Sequence, residues 1–411
     1  MRSLRWLRYA AVALLFPLAL GACGGSDDDD DNAGSPTPPV STAITREDVA
    51  ARLDGVLKTG LNTINADQVA ALFFDGDPAN DPFVLDVRSA EDYAKGHIPG
   101  AVNVPLKEFA QRYLEEGDAL VPADKNVVVA SYYGGDGNMA SLLINAVRIK
   151  DPANVGDYPW SKTIMMGMMA WSFDKELSNG HRFTDDEGDK RLADGPVETT
   201  AHPGGSFELP EFSGFSADTV EGVILERAAS YLAQADDPLT LQMPATELKA
   251  LLDDGDPAND PQILSVRGAA HYALGHIPGA LNVYWKDTAV LENLTILDPD
   301  KPVVAYCYTG HTGSLATLAL AILGYDAKNL LYGMNGWHMS GAIAASQLAN
   351  FDTIRGWDFP VDDGDDDLGS LAAYTPPTGC KGCHTSLTAI FYDLTRNPPQ
   401  ATEAPPSVGE G

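Results

Sequence analysis

The sequence predicts an α/β protein made of two copies of one module, each a small parallel sheet flanked by helices, with irregular segments at both ends. The first observation behind this is a repeat. D-G-D-P-A-N-D-P stands at residues 75–82 and again at 254–261. The copies then continue in parallel, V-L-D-V-R and Y-A-K-G-H-I-P-G-A-V-N-V in one, I-L-S-V-R and Y-A-L-G-H-I-P-G-A-L-N-V in the other. Shared motifs in a shared order mean one structural unit used twice. The second observation is that short β-rich runs alternate with segments of helical apolar spacing, the pattern of strands joined by helices. The third is size: 411 residues, 44% hydrophobic and 21% charged, have the composition of a globular protein with room for two or three domains.

Taken in order, residues 1–22 form an export signal. Arg2, Arg5 and Arg8 precede an apolar stretch from Tyr9 to Leu20 that is too short to span a bilayer. The sequence Leu20-Gly21-Ala22-Cys23 resembles the lipobox of bacterial lipoproteins, which implies lipidation of Cys23 and anchoring in the cell envelope. Gly24, rather than Asp, after the anchor favours the outer membrane. Loss of the signal leaves 24 basic against 58 acidic residues, a net charge near −34. Such a field excludes nucleic acid as a partner. Residues 23–45, with Asp27 to Asp31, form an acidic tether.

The first module occupies residues 46–178 and the second 217–355, with a linker at 179–216. Residues 67–74 and 246–252 have helical spacing, and 83–87 and 262–266 read as short strands. The apolar runs 127–130 and 303–306 fit strands buried on both faces of a parallel sheet. Each leads through a Gly-containing loop to a helix, expected at 139–147 and 315–323. The D-G-D-P-A-N-D segment is read as a solvated turn, since it lacks the distal glutamate of a calcium loop. His97 and His276, in the Gly-His-Ile-Pro-Gly turns, are read as hydrogen-bonded pins. Trp171, Trp337 and the Met165, Met166, Met168, Met169 group are read as packing residues.

Asp/Ser-Val-Arg, Gly-His-Ile-Pro-Gly-Ala, a buried strand leading to a loop, and Gly-x-x-x-Trp together resemble the rhodanese (sulfurtransferase) family. The resemblance implies a cysteine nucleophile that carries sulfane sulfur as a persulfide. In the second module that residue is Cys307, and Tyr308, Thr309, Gly310, His311, Thr312 and Gly313 form the loop around the sulfur. Backbone N–H groups and the positive end of the following helix would stabilise an anionic sulfur there. Aligned without gaps, the first module has Ser131 at the place of Cys307, so it is predicted inert: a hydroxyl cannot hold sulfane sulfur. Loss of its nucleophile leaves that copy a part in packing, in lining the cleft between the two modules, or in partner contact. The active loop has His311 as its only possible cation, which disfavours thiosulfate relative to a persulfide, polysulfide or protein thiol donor. Ser265, where the first copy has Asp86, is expected to loosen the support of Arg267.

Residues 356–411 form an acidic, Pro-rich tail with Cys380-Lys381-Gly382-Cys383-His384. C-x-x-C-H is the haem c attachment pattern, with Cys380 and Cys383 as the thioether sites and His384 as axial ligand. His338, His202, His181 or a methionine of 165–169 could supply the sixth ligand. A Cys380–Cys383 redox disulfide is the competing reading, and no other metal is expected. The sequence therefore supports two functions. One is an exported, lipid-anchored sulfurtransferase that takes sulfur from a sulfane donor and passes it to a thiol acceptor. The other is a haem c lipoprotein whose modules serve as a scaffold for redox or cytochrome partners.

Overall fold

A computed structural model describes residues 43–172 and 191–338, apart from 61–62, 74, 173, 193 and 236–240, with residues 174, 176–178, 343, 359 and 361–363. Cys23, His181, Cys380, Cys383 and His384 lie outside the described residues. No described helix is long and apolar enough to cross a membrane.

The first module runs α1 (Arg46–Thr59), β1 (Thr63–Ile64), α2 (Ala66–Phe73), β2 (Phe83–Asp86), α3 (Ala90–Lys95), β3 (Val102–Asn103), α4 (Leu106–Glu116), β4 (Val127–Ala130), α5 (Gly135–Arg148), β5 (Ser161–Ile164) and α6 (Met168–Trp171). The second runs α7 (Val220–Leu232), β6 (Gln242–Met243), α8 (Ala245–Asp253), β7 (Gln262–Ser265), α9 (Ala269–Leu274), β8 (Leu281–Asn282), α10 (Leu291–Leu294), β9 (Val303–Tyr306), α11 (His311–Leu323), β10 (Ala327–Leu330) and α12 (Met334–Trp337). Each module is a five-stranded parallel sheet, ordered β1-β5-β4-β2-β3 and β6-β10-β9-β7-β8. The duplication therefore reaches the level of strand order. In both sheets the central strand, β4 or β9, leads into the loop that carries Ser131 or Cys307.

The strands bury both faces, and successive side chains enter different clusters. Val127 and Val129 join Val303 and Ala305 in a cluster that runs through both modules, with Leu53, Phe109, Leu143, Ile224, Leu318 and Ile322 from the helices between the sheets. Val128 and Ala130 face a second cluster, Val304 and Tyr306 a third. Full burial of a Leu- or Phe-sized side chain stabilises by about 1.5–3 kcal/mol. The shared cluster thus ties the two modules together through helices such as α5 and α11.

Both D-G-D-P-A-N-D segments are exposed turns closed by their own side chains. Asp75 accepts from Asp77 N at 2.7 Å and Asn80 Nδ2 at 2.8 Å, and Asp254 accepts from Asp256 N and Asn259 Nδ2, both at 2.7 Å. Helices α5 and α11 start four residues before the predicted points, inside the loops. Glycines obscured the start: Gly134 and Gly310 take φ of +103° and +90° and turn the chain directly into the helix.

Two straps cross between the modules. After the first module, Leu192, Gly195 and Glu198 bond the second: Leu192 N to Gly336 O, Gly195 N to Trp337 O, and Glu198 N to His276 O. After the second, Phe359 and Asp362 bond the first: Phe359 N to Trp171 O and Asp362 N to His97 O.

Candidate active site

The Cys307 thiol lies at the carboxyl end of β9, where ligands collect in parallel sheets. It is 2% exposed and accepts a hydrogen bond from Gly310 N–H at 3.1 Å. His311, Thr312 and Gly313 form the first turn of α11, so that turn's free N–H groups lie beside the sulfur. Ser131 occupies the matching place in the first module, and its hydroxyl accepts from Gly134 N–H at the same 3.1 Å. The two loops share a backbone and differ in the atom presented.

Several residues set the loop from behind. Gly333, in the Gly-x-x-x-Trp motif, has φ +56°, and a β-carbon there would lie 2.6 Å from Cys307 O. Met334 N–H donates to the same carbonyl at 2.8 Å. Gly167 and Met168 repeat this at Ser131 O. Asn329 Nδ2 donates to Gly310 O at 3.1 Å and to Ser314 Oγ at 3.2 Å, and the absent side chain of Gly313 leaves room for Asn329 Oδ1. Asn329 also contacts Gln242 Oε1 at 3.3 Å, and Gln242 Nε2 donates to Asp136 Oδ1 at 3.0 Å. Sequence reading missed Gly333, Asn329 and Gln242 as supports of the loop. A signal existed for the latter two: they are amides in buried strands at places where the first module has Thr163 and Thr63.

The first module's loop closes over this one. Asn138 Nδ2 donates to His311 O at 3.2 Å, Tyr133 OH bonds Gln242, and Gly134 lies against the His311 ring. Burial pushes His311 down to about 4, so the imidazole is neutral at pH 7, and its Nδ1 pairs with Thr309 Oγ1 at 2.8 Å. Burial pushes the Asp136 carboxyl up to about 7, against the Gln242 hydrogen bond. Only Tyr308 and Thr312 of the loop are half-exposed. Tyr308 OH bonds His271 Nδ1, where Tyr132 of the first module donates to Asp92 at 2.7 Å.

The Arg267 guanidinium is buried close by. It donates to Gly275 O at 2.6 Å and Ile343 O at 3.2 Å, and lies 5.4 and 5.5 Å from the ring centres of Tyr306 and Tyr308, the residues flanking Cys307. Ser265 Oγ, at 3.4 Å, stands where Asp86 makes a bidentate ion pair with Arg88 in the first module. With serine in place of that aspartate, Arg267 has no carboxylate partner among the described residues, and its positive charge lies beside the nucleophile's loop.

Of the residues considered as a sixth haem ligand, His202 bonds Glu198 and His338 Nδ1 bonds Gly195 O, while Met165, Met166, Met168 and Met169 are packed in the core. A haem on the tail could recruit one of those methionines only by unpacking the first module.

Comparison with known proteins bears on this site. The rhodanese-like domain family matches residues 65–172 and 244–340. A 3-mercaptopyruvate sulfurtransferase of Escherichia coli is 26% identical over 275 residues, 63% of this chain and 85% of that protein. An adenylyltransferase and sulfurtransferase of Saccharomyces cerevisiae is 30% identical over 86 residues, and the chain spans only 20% of its length. Among solved structures, a rhodanese-like domain protein from Staphylococcus aureus is 28% identical (23% of this chain, 86% of that one, TM-score 0.21). A thiosulfate sulfurtransferase from Pseudomonas aeruginosa is 18% identical (84% and 77%, TM-score 0.23).

Proposed function

The chain carries two rhodanese-like domains in tandem, and from that premise we propose an exported, lipid-anchored sulfurtransferase in which Cys307 alone carries sulfur. The observation that carries this is the pair of matching loops, one presenting a thiol to Gly310 N–H and the other a hydroxyl to the equivalent Gly134 N–H, both at 3.1 Å. The Cys307 thiolate attacks the outer sulfur of a small persulfide or polysulfide. The donor's S–S bond breaks, a thiolate or shorter polysulfide leaves, and Cys307–S–S⁻ remains. An acceptor thiolate then takes the outer sulfur and returns Cys307 as thiolate, with no net redox change. Burial of the thiol favours slender donors over a protein thiol. The E. coli relative's name puts 3-mercaptopyruvate in the donor panel, with thiosulfate as the disfavoured anion.

The test is transfer from inorganic polysulfide to dithiothreitol, read as sulfide release. Cys307→Ser should lower it to the rate seen without protein and Ser131→Ala leave it unchanged. Retention of full activity in Cys307→Ser would overturn the reading.

The second reading rests on the tail motif. Cys380 and Cys383 would hold a haem c with His384 as ligand, and the haem would supply one-electron transfer to a redox partner. A visible spectrum of protein exported from a host that matures c-type cytochromes tests it: a Soret band lost in Cys380→Ser/Cys383→Ser supports it, and no band removes it.

A further inference from the structure

The geometry points to a divalent-metal site, best suited to zinc, formed by Glu198, His202 and His276, which staples the interdomain strap to the second module. Glu198 ends the strap, His202 follows it four residues on, and His276 comes from the Gly-His-Ile-Pro-Gly turn. One ligand atom of each lies within 4.8 Å of the others. Glu198 Oε1 is 2.8 Å from His202 Nε2 and 3.9 Å from His276 Nε2. Tetrahedral zinc with bonds near 2.0–2.1 Å sets its ligand atoms about 3.3 Å apart, between those two values.

The hydrogen bonds of His276 supply an independent argument. The ring is fully buried, with Nδ1 2.8 Å from Tyr272 O and Nε2 3.0 Å from Thr200 O. A neutral imidazole has one N–H and cannot donate to both carbonyls. With Nδ1–H given to Tyr272 O, the Nε2 lone pair faces Thr200 O, an unfavourable pairing that a second proton or a metal cation between them would relieve. That arrangement is also the usual outer shell of a metal-bound histidine, in which the distal N–H donates to a backbone carbonyl. Thr200 O is then a fourth donor atom within reach. Glu198 Oε1 is held in place by the Gly279 N–H, which donates to it. Imidazole and carboxylate donors suit zinc among the common divalent ions.

Among the described residues the first module lacks the set. His97 makes the same Nδ1 contact, to Tyr93 O at 3.0 Å, but its Nε2 faces a single carboxylate, Asp362 at 3.8 Å. The metal site would be a property of the second module, and it stands apart from the sulfur chemistry at Cys307.

The tail cysteines could bind zinc themselves, so the test uses the full chain carrying Cys380→Ser and Cys383→Ser, stripped with chelator. Zinc is titrated against a chromophoric competitor, metal content is read after desalting, and the thermal midpoint is measured with and without zinc. One zinc per chain and a rise in midpoint are expected. Adding His202→Ala or Glu198→Gln, both partly exposed positions, should weaken binding at least tenfold and remove the rise. Absence of zinc binding in the parent, or unchanged affinity in both variants, would overturn the proposal.

Discussion

The exchange of Asp86 for Ser265 sets up the most informative perturbation. In the first module Arg88 and Asp86 are fully buried, and the guanidinium gives Asp86 contacts of 3.0, 3.1 and 2.6 Å. Removing one partner of a buried pair costs about 3–5 kcal/mol, because the other charge stays in a low-dielectric site. Asp86→Ser should therefore destabilise by that amount. The carbonyls of Gly96 and Leu177 remain as acceptors, but no second aromatic face exists where Tyr306 has its counterpart, Ala130. Ser265→Asp should gain less, on the order of 1–2 kcal/mol, because the two tyrosine faces already offset part of the deficit. Its cost should fall on chemistry. A unit charge on the order of 10 Å away, at an effective dielectric near 20, acts with about 1.7 kcal/mol. Neutralising Arg267 should therefore slow sulfur loading of Cys307 roughly tenfold. Urea unfolding gives the stability arm, and the single-turnover loading rate gives the chemical arm. If Asp86→Ser cost under about 1 kcal/mol, or Ser265→Asp loaded as fast as the parent, the argument would be wrong.

Other consequences are equally concrete. In a Cys307→Ser background, Ser131→Cys should restore loading to less than about a tenth of the parent rate, because Asp136 stands where the active loop has Thr312; adding Asp136→Thr should raise it. Gly333→Ala should cost roughly 2 kcal/mol or more, from the left-handed backbone and the clash at Cys307 O, and should abolish loading, whereas Gly167→Ala should show a similar loss in unfolding experiments with loading intact. Asp136 is raised from 3.8 to about 7, so the folded chain holds a proton there that the unfolded chain has lost, and its contribution to stability falls as pH rises from about 4 to about 7, by about 4 kcal/mol at most. His311, lowered from 6.5 to about 4, acts in the opposite sense, its contribution rising with pH between those values. Asp136→Asn should therefore raise the urea midpoint at pH 8 and have little effect at pH 4. An unchanged midpoint at pH 8 would count against the burial of this carboxyl.

The repeat, the buried central strands and the nucleophile loop were legible because each leaves a local mark: identical motifs, continuous apolar runs, and glycines at fixed offsets. The two-residue strands β1 and β6 leave none, since Thr63-Ile64 and Gln242-Met243 are too short for any periodicity. Helices α5 and α11 were placed late because glycines in a first turn read as loop, although Gly134 and Gly310 are what turn the chain into them. Closure of the first loop over the second was not legible. It depends on Tyr133 meeting Gln242 and Asn138 meeting the His311 carbonyl, each across more than a hundred residues. Glu198, His202 and His276 likewise come together only through the strap.

The central claim is that sulfur rides on Cys307 and nowhere else in the two modules. Intact-mass and peptide mass spectrometry after brief exposure to inorganic polysulfide tests it directly. The account predicts the mass of one added sulfur, labile to dithiothreitol, on the Cys307 peptide, and its absence in Cys307→Ser. No adduct at Cys307 with polysulfide, thiosulfate or 3-mercaptopyruvate would contradict it.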